Sequence, residues 1–248
     1  MSVQGSFAEV ARQDGRAAQV TAISGPHVGG RLLVMADGSR EGTLGDADLD
    51  AEAIGHAEEL MWAERSEQRG DLFIDVTAPD PRLLIFGAVE YANHLSRFAR
   101  QTHWRPYVID PRAQFATPQR FPEAVEVVAK WPKAAVEYLG AIDRATYLAV
   151  LTHDPKIDDE VLVLALSQEP AYIGAMGSKR AQAERRERLL SAGVDESQLS
   201  RISAPVGLDL GAKSNEEVAL SIMAELVAVR YGRSGGRLCE AKGGGKIH

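Results

Sequence analysis

The sequence predicts an α/β protein: a Rossmann-like, doubly wound parallel sheet over residues 82–231, preceded by a small α+β N-terminal domain over residues 1–78. Three observations predict it. After Pro81, short and nearly continuous apolar runs alternate with helical patterns, as in parallel strands covered on both faces. One of those runs, "LLIFG", stops at Gly87 and passes directly into a helical stripe, the strand–turn–helix layout of a nucleotide-binding unit. Pro79 and Pro81 bracket Asp80 and break any element that would join the two regions.

In the first region, "QVTAIS" and "RLLVMADG" read as strands, and Asp37-Gly38 makes a hairpin turn between the second and a return strand. "DLDAEAIGHAEELMWAERSEQRG" reads as one helix, opened by carboxylates and closed at Gly70, and "DLFIDVT" as a further strand. Asp46, Asp48 and Asp50 resemble the start of a calcium loop. The sixth position of that loop needs glycine and holds Ala51, so these carboxylates are expected at a helix N-terminus.

In the second region the strands are "RLLIFG", "RPYVID", "VEVVA", "TYLAVLT" and "AYIGAM". Ala88, Ala92, Leu95 and Ala99 form a stripe of mostly small residues that lets a helix lie close to the sheet. Ser214 and Glu217 form a capping box ahead of a final helix whose stripe is Ala219, Ile222, Leu226 and Val229. Residues 232–248, rich in glycine and poor in apolar side chains, read as a flexible tail.

Composition narrows the function. A formal net charge of -7 argues against nucleic acid or an anionic membrane as partner, because phosphate backbones demand a basic surface. No apolar run reaches the roughly 18 residues of a membrane span, and the first residues lack the basic-then-apolar pattern of a secretory signal. A single cysteine, Cys239, forms neither an internal disulfide nor a cysteine metal cluster, which fits a cytoplasmic protein. A homodimer is the default expectation for oligomeric state.

Ligands of open α/β sheets bind beyond the carboxyl ends of the strands, and four such ends carry chemistry. Gly87, Ala88, Val89 and Glu90 stand where a phosphate-binding glycine loop would run, but Val89 replaces its second glycine. Asp110 follows Gly87 by 23 residues (110 − 87), near the spacing of a ribose-binding carboxylate. Arg112 could reverse that preference toward a phosphate; equally, Asp110 could turn the chain before Pro111. Thr152, His153 and Asp154 end another strand. His153 with Asp154 suits ligand contact; no metal site is expected. Gly174, Gly177, Ser178, Lys179 and Arg180 open a helix with free N–H groups, a hydroxyl and two cations, the best anion site in the chain. The arginines at 185, 186 and 188 are read as that helix's solvated face. Gly207 and Asp209 lie in a loop whose glycines suggest close backbone approach to a ligand or another chain.

Taken in order, "VIDPRAQFATPQRFPEA", "LTHDPKIDDEVLVLAL", "YIGAMGSKRAQAERRERLLSAG" and "PVGLDLGAKSNEEVALSIMAEL" resemble the xanthine dehydrogenase accessory protein family (XdhC/CoxI). The resemblance covers nearly all of residues 83–231, and "SGPHVGGRLLVMADGSREGTLGDADLD" is similar to the family's smaller domain. It implies a maturation factor for a molybdenum hydroxylase that binds the molybdenum cofactor, a pterin bearing a phosphate or dinucleotide. It also implies that the partner is a molybdenum hydroxylase subunit. Where the family has G-A-G-H-V-A, this chain has Gly87-Ala88-Val89-Glu90-Tyr91-Ala92, and no cysteine follows the return strand of the smaller domain. Two other readings stay open. One is an NAD(P)-dependent oxidoreductase on the same scaffold, for which no Tyr-x-x-x-Lys proton donor is evident. The other is a diverged, non-catalytic nucleotide-binding subunit.

Overall fold

The computed structural model describes residues 2–240, so the last eight positions of the expected tail lie outside the described residues. The chain divides into two compact units, 1–80 and 81–248.

The first unit holds helix α1 (Val3–Arg12), strands β1 (Ala17–Ala22), β2 (Arg31–Met35) and β3 (Arg40–Thr43), helix α2 (Ala47–Trp62), and strands β4 (Glu67–Arg69) and β5 (Leu72–Thr77). The five strands form one sheet, ordered β3-β2-β1-β5-β4, with antiparallel pairing throughout. Ala53, Ala57, Leu60 and Met61 of α2 pack on Ala18, Val20, Leu32, Val34 and Ile74. The Asp46 side chain caps α2, accepting from the Asp48 and Leu49 amides. Asp48 and Asp50 lie in the first turn of α2, as expected, and Asp50 accepts from Thr43 and the Leu44 amide ahead of the helix. The Asp37-Gly38 turn forms as expected, with Gly38 at φ 83°. The long helix expected to run to Gly70 is corrected: α2 stops at Trp62, and "EQR" becomes β4. Its last stretch is charged and has no apolar stripe to bury, so pairing with β5 satisfies its backbone instead. Gly70, at φ 56°, turns that hairpin. Helix α1 was not anticipated from the sequence.

The second unit holds β6 (Arg82–Phe86), α3 (Glu90–Gln101), β7 (Arg105–Ile109), β8 (Glu126–Val128), α4 (Pro132–Leu139), β9 (Thr146–Val150) and α5 (Pro155–Leu166). It continues with β10 (Tyr172–Ala175), α6 (Lys179–Ser191), α7 (Glu196–Leu199), β11 (Ile202–Ser203) and α8 (Asn215–Arg230). All six strands are parallel, in the order β11-β10-β9-β6-β7-β8. Counted from β6 as the first strand, this is the 3-2-1-4-5-6 order of dinucleotide-binding sheets. The expected doubly wound fold is therefore present. Of its strands, the two-residue β11 escaped the sequence reading, being too short to show a pattern, and helices α4 and α7 were not singled out either.

Period-two alternation divides the core. Leu83, Ile85, Val108, Ala149 and Leu151 face one layer with Ala92, Leu95 and Ala99 of α3 and Ala219, Ile222 and Leu226 of α8. Leu84, Phe86, Ile109, Leu148 and Val150 face the other, with α4, α5 and Leu189 of α6. Val229, expected in the α8 stripe, is exposed, and Met223 is buried instead. The Ser214–Glu217 capping box forms in both directions.

Candidate functional site

The strand order reverses between β6 and β9, and the register levels the carboxyl ends of the central strands. Phe86 is opposite both Ile109 and Val150, and Val150 is opposite Ala175. Gly87, Asp110, Leu151 and Met176 therefore leave the sheet side by side, at the edge where open α/β sheets bind their ligands.

The β6–α3 turn is built around close approach. Gly87 sits at φ 121°, and a Cβ there would lie 2.9 Å from Thr152 Cγ2 and 3.1 Å from the Thr152 nitrogen. Its amide donates to the Ile109 carbonyl (2.8 Å). Val89 occupies the N-cap of α3 with no side-chain cap bond, so the first amides of that helix lack an internal acceptor. Glu90, the first helical residue, is exposed. His94 lies one turn on, with Nε2 3.8 Å from Glu90 and 3.5 Å from Glu216 at the start of α8. The sequence reading missed His94 and Glu216; the Glu90–His94 spacing of four on a helix was the available signal.

Asp110 is fully buried and is held by four donors. Oδ1 accepts from the Arg112 amide (3.0 Å) and Nε (2.8 Å), and Oδ2 from the Ala88 amide (2.8 Å) and Arg112 Nη2 (2.7 Å). Burial opposes its charge. The bonds from the Arg112 guanidinium and the two amides outweigh that and hold the carboxyl below the ordinary carboxylate range. Asp110 thus ties the glycine turn to the end of β7.

Thr152 is buried, donating to Asp158 Oδ1 (2.5 Å) and accepting from the Asp154 amide (3.0 Å). The Asp154 side chain caps α5 through the Lys156 amide. His153 between them is exposed, and no metal-binding group of His, Cys, Asp and Glu occurs among the described residues.

Behind the next loop is a buried ion pair that corrects one expectation: Arg185 does not belong to the solvated face of α6. Arg185 Nη2 meets Asp158 Oδ2 at 3.0 Å, with the side chains 6% and 4% exposed. It also donates to the Met176 carbonyl (2.9 Å) and, through Nη1, to Gln182. Burial pushes the Asp158 carboxyl up, against the bonds from Thr152 and Arg185. Nearby, Arg188 pairs with Asp159 (2.6 Å). The sequence reading placed these arginines outward because α6 carries so many charges that its thin apolar face was hidden.

Gln182 and Arg185 hold the carbonyls of Met176 and Gly177 from behind. Gly177, at φ 136°, turns the chain into α6, whose cap is Ser178, accepting from the Ala181 amide (3.3 Å). Lys179 and Arg180 are exposed on the first turn. Gly174 is different: it lies inside β10, buried, where a Cβ would meet Tyr172 and Val206 at 2.6 Å. Gly207, at φ 107°, approaches Ser221 of α8, and a Cβ there would meet its Oγ at 2.6 Å. Glu225 secures that loop, accepting from Ser203 (2.8 Å) and the Gly207 amide (2.5 Å). Burial and the adjacent Glu225 carboxylate push the Tyr172 phenol up. Asp209 is exposed farther along the loop.

Strand order and parallel pairing together define a Rossmann-type domain. The family described as the XdhC Rossmann domain matches residues 83–226, more than half of the chain, and the chain belongs to that family. It is 29% identical over 198 residues to a Bacillus subtilis (strain 168) protein named as a probable xanthine dehydrogenase component, covering 80% of this chain and 57% of that one. It is 36% identical over 89 residues to the Escherichia coli (strain K12) "Molybdenum cofactor insertion chaperone PaoD", covering 36% of this chain and 28% of that one. Escherichia coli YqeB, named an uncharacterized protein, is 27% identical over 233 residues, 86% of this chain and 42% of YqeB. The crystal structure of a xanthine dehydrogenase from Bacillus halodurans superposes with a TM-score of 0.62 at 26% identity, covering 89% of this chain and 64% of that one. The chain thus spans between about a quarter and two thirds of the length of these relatives. Among the described residues, no helix is long and apolar enough to cross a membrane.

Proposed function

We propose that the chain is an accessory factor for a molybdenum hydroxylase of the xanthine or carbon monoxide dehydrogenase type. In this reading it binds the molybdenum cofactor in the switch-point crevice and presents it to a hydroxylase subunit. One observation carries the reading: the loops bearing Gly87–Glu90, Arg112, His153 and Gly177–Arg180 all follow strands that end at the same edge of the sheet, and they offer complementary polar groups. At one end, the first turn of α6 offers unpartnered amides and Lys179, which suit a phosphate, while Arg180 is paired with Glu184 (2.9 Å). At the other, exposed Glu90 accepts hydrogen bonds and suits the N–H donors of a pterin ring. The names of the relatives support the same assignment.

The donor set fits a phosphate-bearing pterin, which when bound supplies molybdenum to the client enzyme's redox chemistry. The chain's own part is to bind and orient. Val89 narrows the backbone approach to the α3 amides, so the phosphate belongs at α6, where Gly177 leaves the path open. Asp110 and Thr152, both buried and fully bonded, hold the loops rather than the ligand. Cys239, the single cysteine, is exposed and outside the crevice-lining loops, so the reading is binding and delivery, with sulfur supplied by another protein.

The test is calorimetric titration with released molybdenum cofactor, NADH and NADPH, joined to reconstitution of a cofactor-free hydroxylase. Cofactor binding with faster reconstitution is expected. Nicotinamide binding with hydride transfer and no pterin affinity overturns the proposal. Ser178→Ala with Lys179→Ala should weaken cofactor binding by about 1–3 kcal/mol, the scale of charge-assisted hydrogen bonds. Unchanged affinity would leave Ser178 a helix cap alone.

A further inference from the structure

We propose that the β7 end of the crevice reads a phosphate monoester and excludes a ribose diol, with Arg112 and Phe115 deciding the choice. This rests on the crevice being a ligand site, and it adds a second anion reader opposite α6.

In dinucleotide-binding sheets the carboxylate at the end of the second strand accepts both ribose hydroxyls. Asp110 stands at that place but has no open acceptor. Each oxygen already takes two donors, and the side chain is fully buried. A diol would have to break the bond to Ala88 or to Arg112, and so loosen the glycine turn itself.

The same bonds aim the guanidinium. Nε and Nη2 of Arg112 face Asp110, and Nη1 makes no hydrogen bond among the described residues, on a side chain 40% exposed. The Arg112 guanidinium carbon lies 5.1 Å from the centre of the Phe115 ring. Arg120 stacks on that ring at 5.8 Å and donates to the Phe115 carbonyl (2.9 Å). Residues 111–120 contain no acidic side chain, and Arg120 has no acidic partner among the described residues. Asp154, whose charge Arg112 feels across the switch point, is engaged in capping α5. Two guanidinium groups and a half-exposed ring therefore converge where a sugar would otherwise be read. Guanidinium N–H groups bond a dianionic phosphate far better than a neutral diol, and the exposed part of the Phe115 ring gives a planar heterocycle an apolar surface to pack against. The ligand class is a phosphate monoester attached near a planar ring, whether a 2′-phosphorylated nucleotide or a pterin cofactor seated with its phosphate here instead of at α6.

The experiment is calorimetry of the full chain with adenosine, adenosine 2′-monophosphate and inorganic phosphate. Adenosine 2′-monophosphate should bind at least about tenfold more tightly than either of the others, the fold-change of one charge-assisted bond. Arg112→Ala should erase the difference. That variant strands a buried carboxylate, so Asp110→Asn with Arg112→Gln, which removes both charges together, is measured beside it with melting curves for each. Phe115→Ala should weaken adenosine 2′-monophosphate more than inorganic phosphate. Equal or tighter binding of adenosine, no binding of the phosphorylated probe, or a preference that survives both Arg112 variants overturns the proposal. Competition with released molybdenum cofactor separates the sources. Displacement assigns the site to the pterin; a nucleotide that binds with the stated preference and is not displaced supports this inference while counting against the cofactor assignment.

Discussion

Replacing Asp158 with alanine should be among the most destabilising single changes at the site. Asp158 and Arg185 meet at 3.0 Å with side chains 4% and 6% exposed. Removing the carboxylate leaves a buried guanidinium whose Nε already has no partner, and it takes the acceptor from Thr152. Breaking a buried pair on one side costs about 3–5 kcal/mol, because the remaining charge stays desolvated. Removing both charges with residues of similar volume costs much less. Asp158→Leu with Arg185→Met should therefore recover most of the loss, since Gln182 still reaches the Met176 carbonyl. Urea unfolding of the wild type, Asp158→Leu, Arg185→Met and the double variant measures the coupling directly. A loss below about 1 kcal/mol for Asp158→Ala, or single losses that simply add in the double variant, would refute the assignment of this pair as a desolvated, mutually dependent unit.

Other expectations follow from the same geometry. Gly87→Ala places a Cβ 2.9 Å from Thr152 Cγ2 at φ 121° and should cost about 1–3 kcal/mol in unfolding experiments; no loss would mean the turn relaxes freely. The Asp110 carboxyl is held below its unfolded value of 3.8, so its stabilisation is present above that pH and disappears as pH falls through the folded value. The stability gap between wild type and Asp110→Asn should accordingly shrink between about pH 5 and about pH 2, and a gap that widens on acidification would reverse the sign. Ser214→Ala removes the acceptor of the Glu217 amide and should cost about 1 kcal/mol by thermal or urea unfolding.

Much of this architecture was legible in the amino-acid order. The apolar runs after Pro81 became β6, β7, β8, β9 and β10, because a strand buried on both faces must be apolar at nearly every position. The Ser214–Glu217 capping box and the Asp37-Gly38 turn were legible because their hydrogen bonds join residues two to four apart. The misreadings share a cause. "EQRG" joined a helix on paper because nothing local shows that a partner strand, β5, waits beyond Gly70. Arg185 looked solvated because its neighbours in sequence are charged, while its partner, Asp158, is 27 residues away.

The site divides along the same line. The sequence by itself determined which loops carry chemistry, since glycine, proline, carboxylates and cations collect where each strand ends. It could not determine which of those side chains remain available. Asp110 and Thr152 read as ligand contacts, yet tertiary structure uses up their hydrogen-bonding capacity on Ala88, Arg112, Asp154 and Asp158. Ser178 is largely engaged by its own helix, Gly174 is packed within β10, and Gly207 is pressed against α8. Arg112, Glu90, His153 and Lys179 keep groups directed outward. Local order sets which groups exist at each strand end, but satisfaction of a buried polar group depends on donors brought in from other strands and helices. Only the folded sheet decides that.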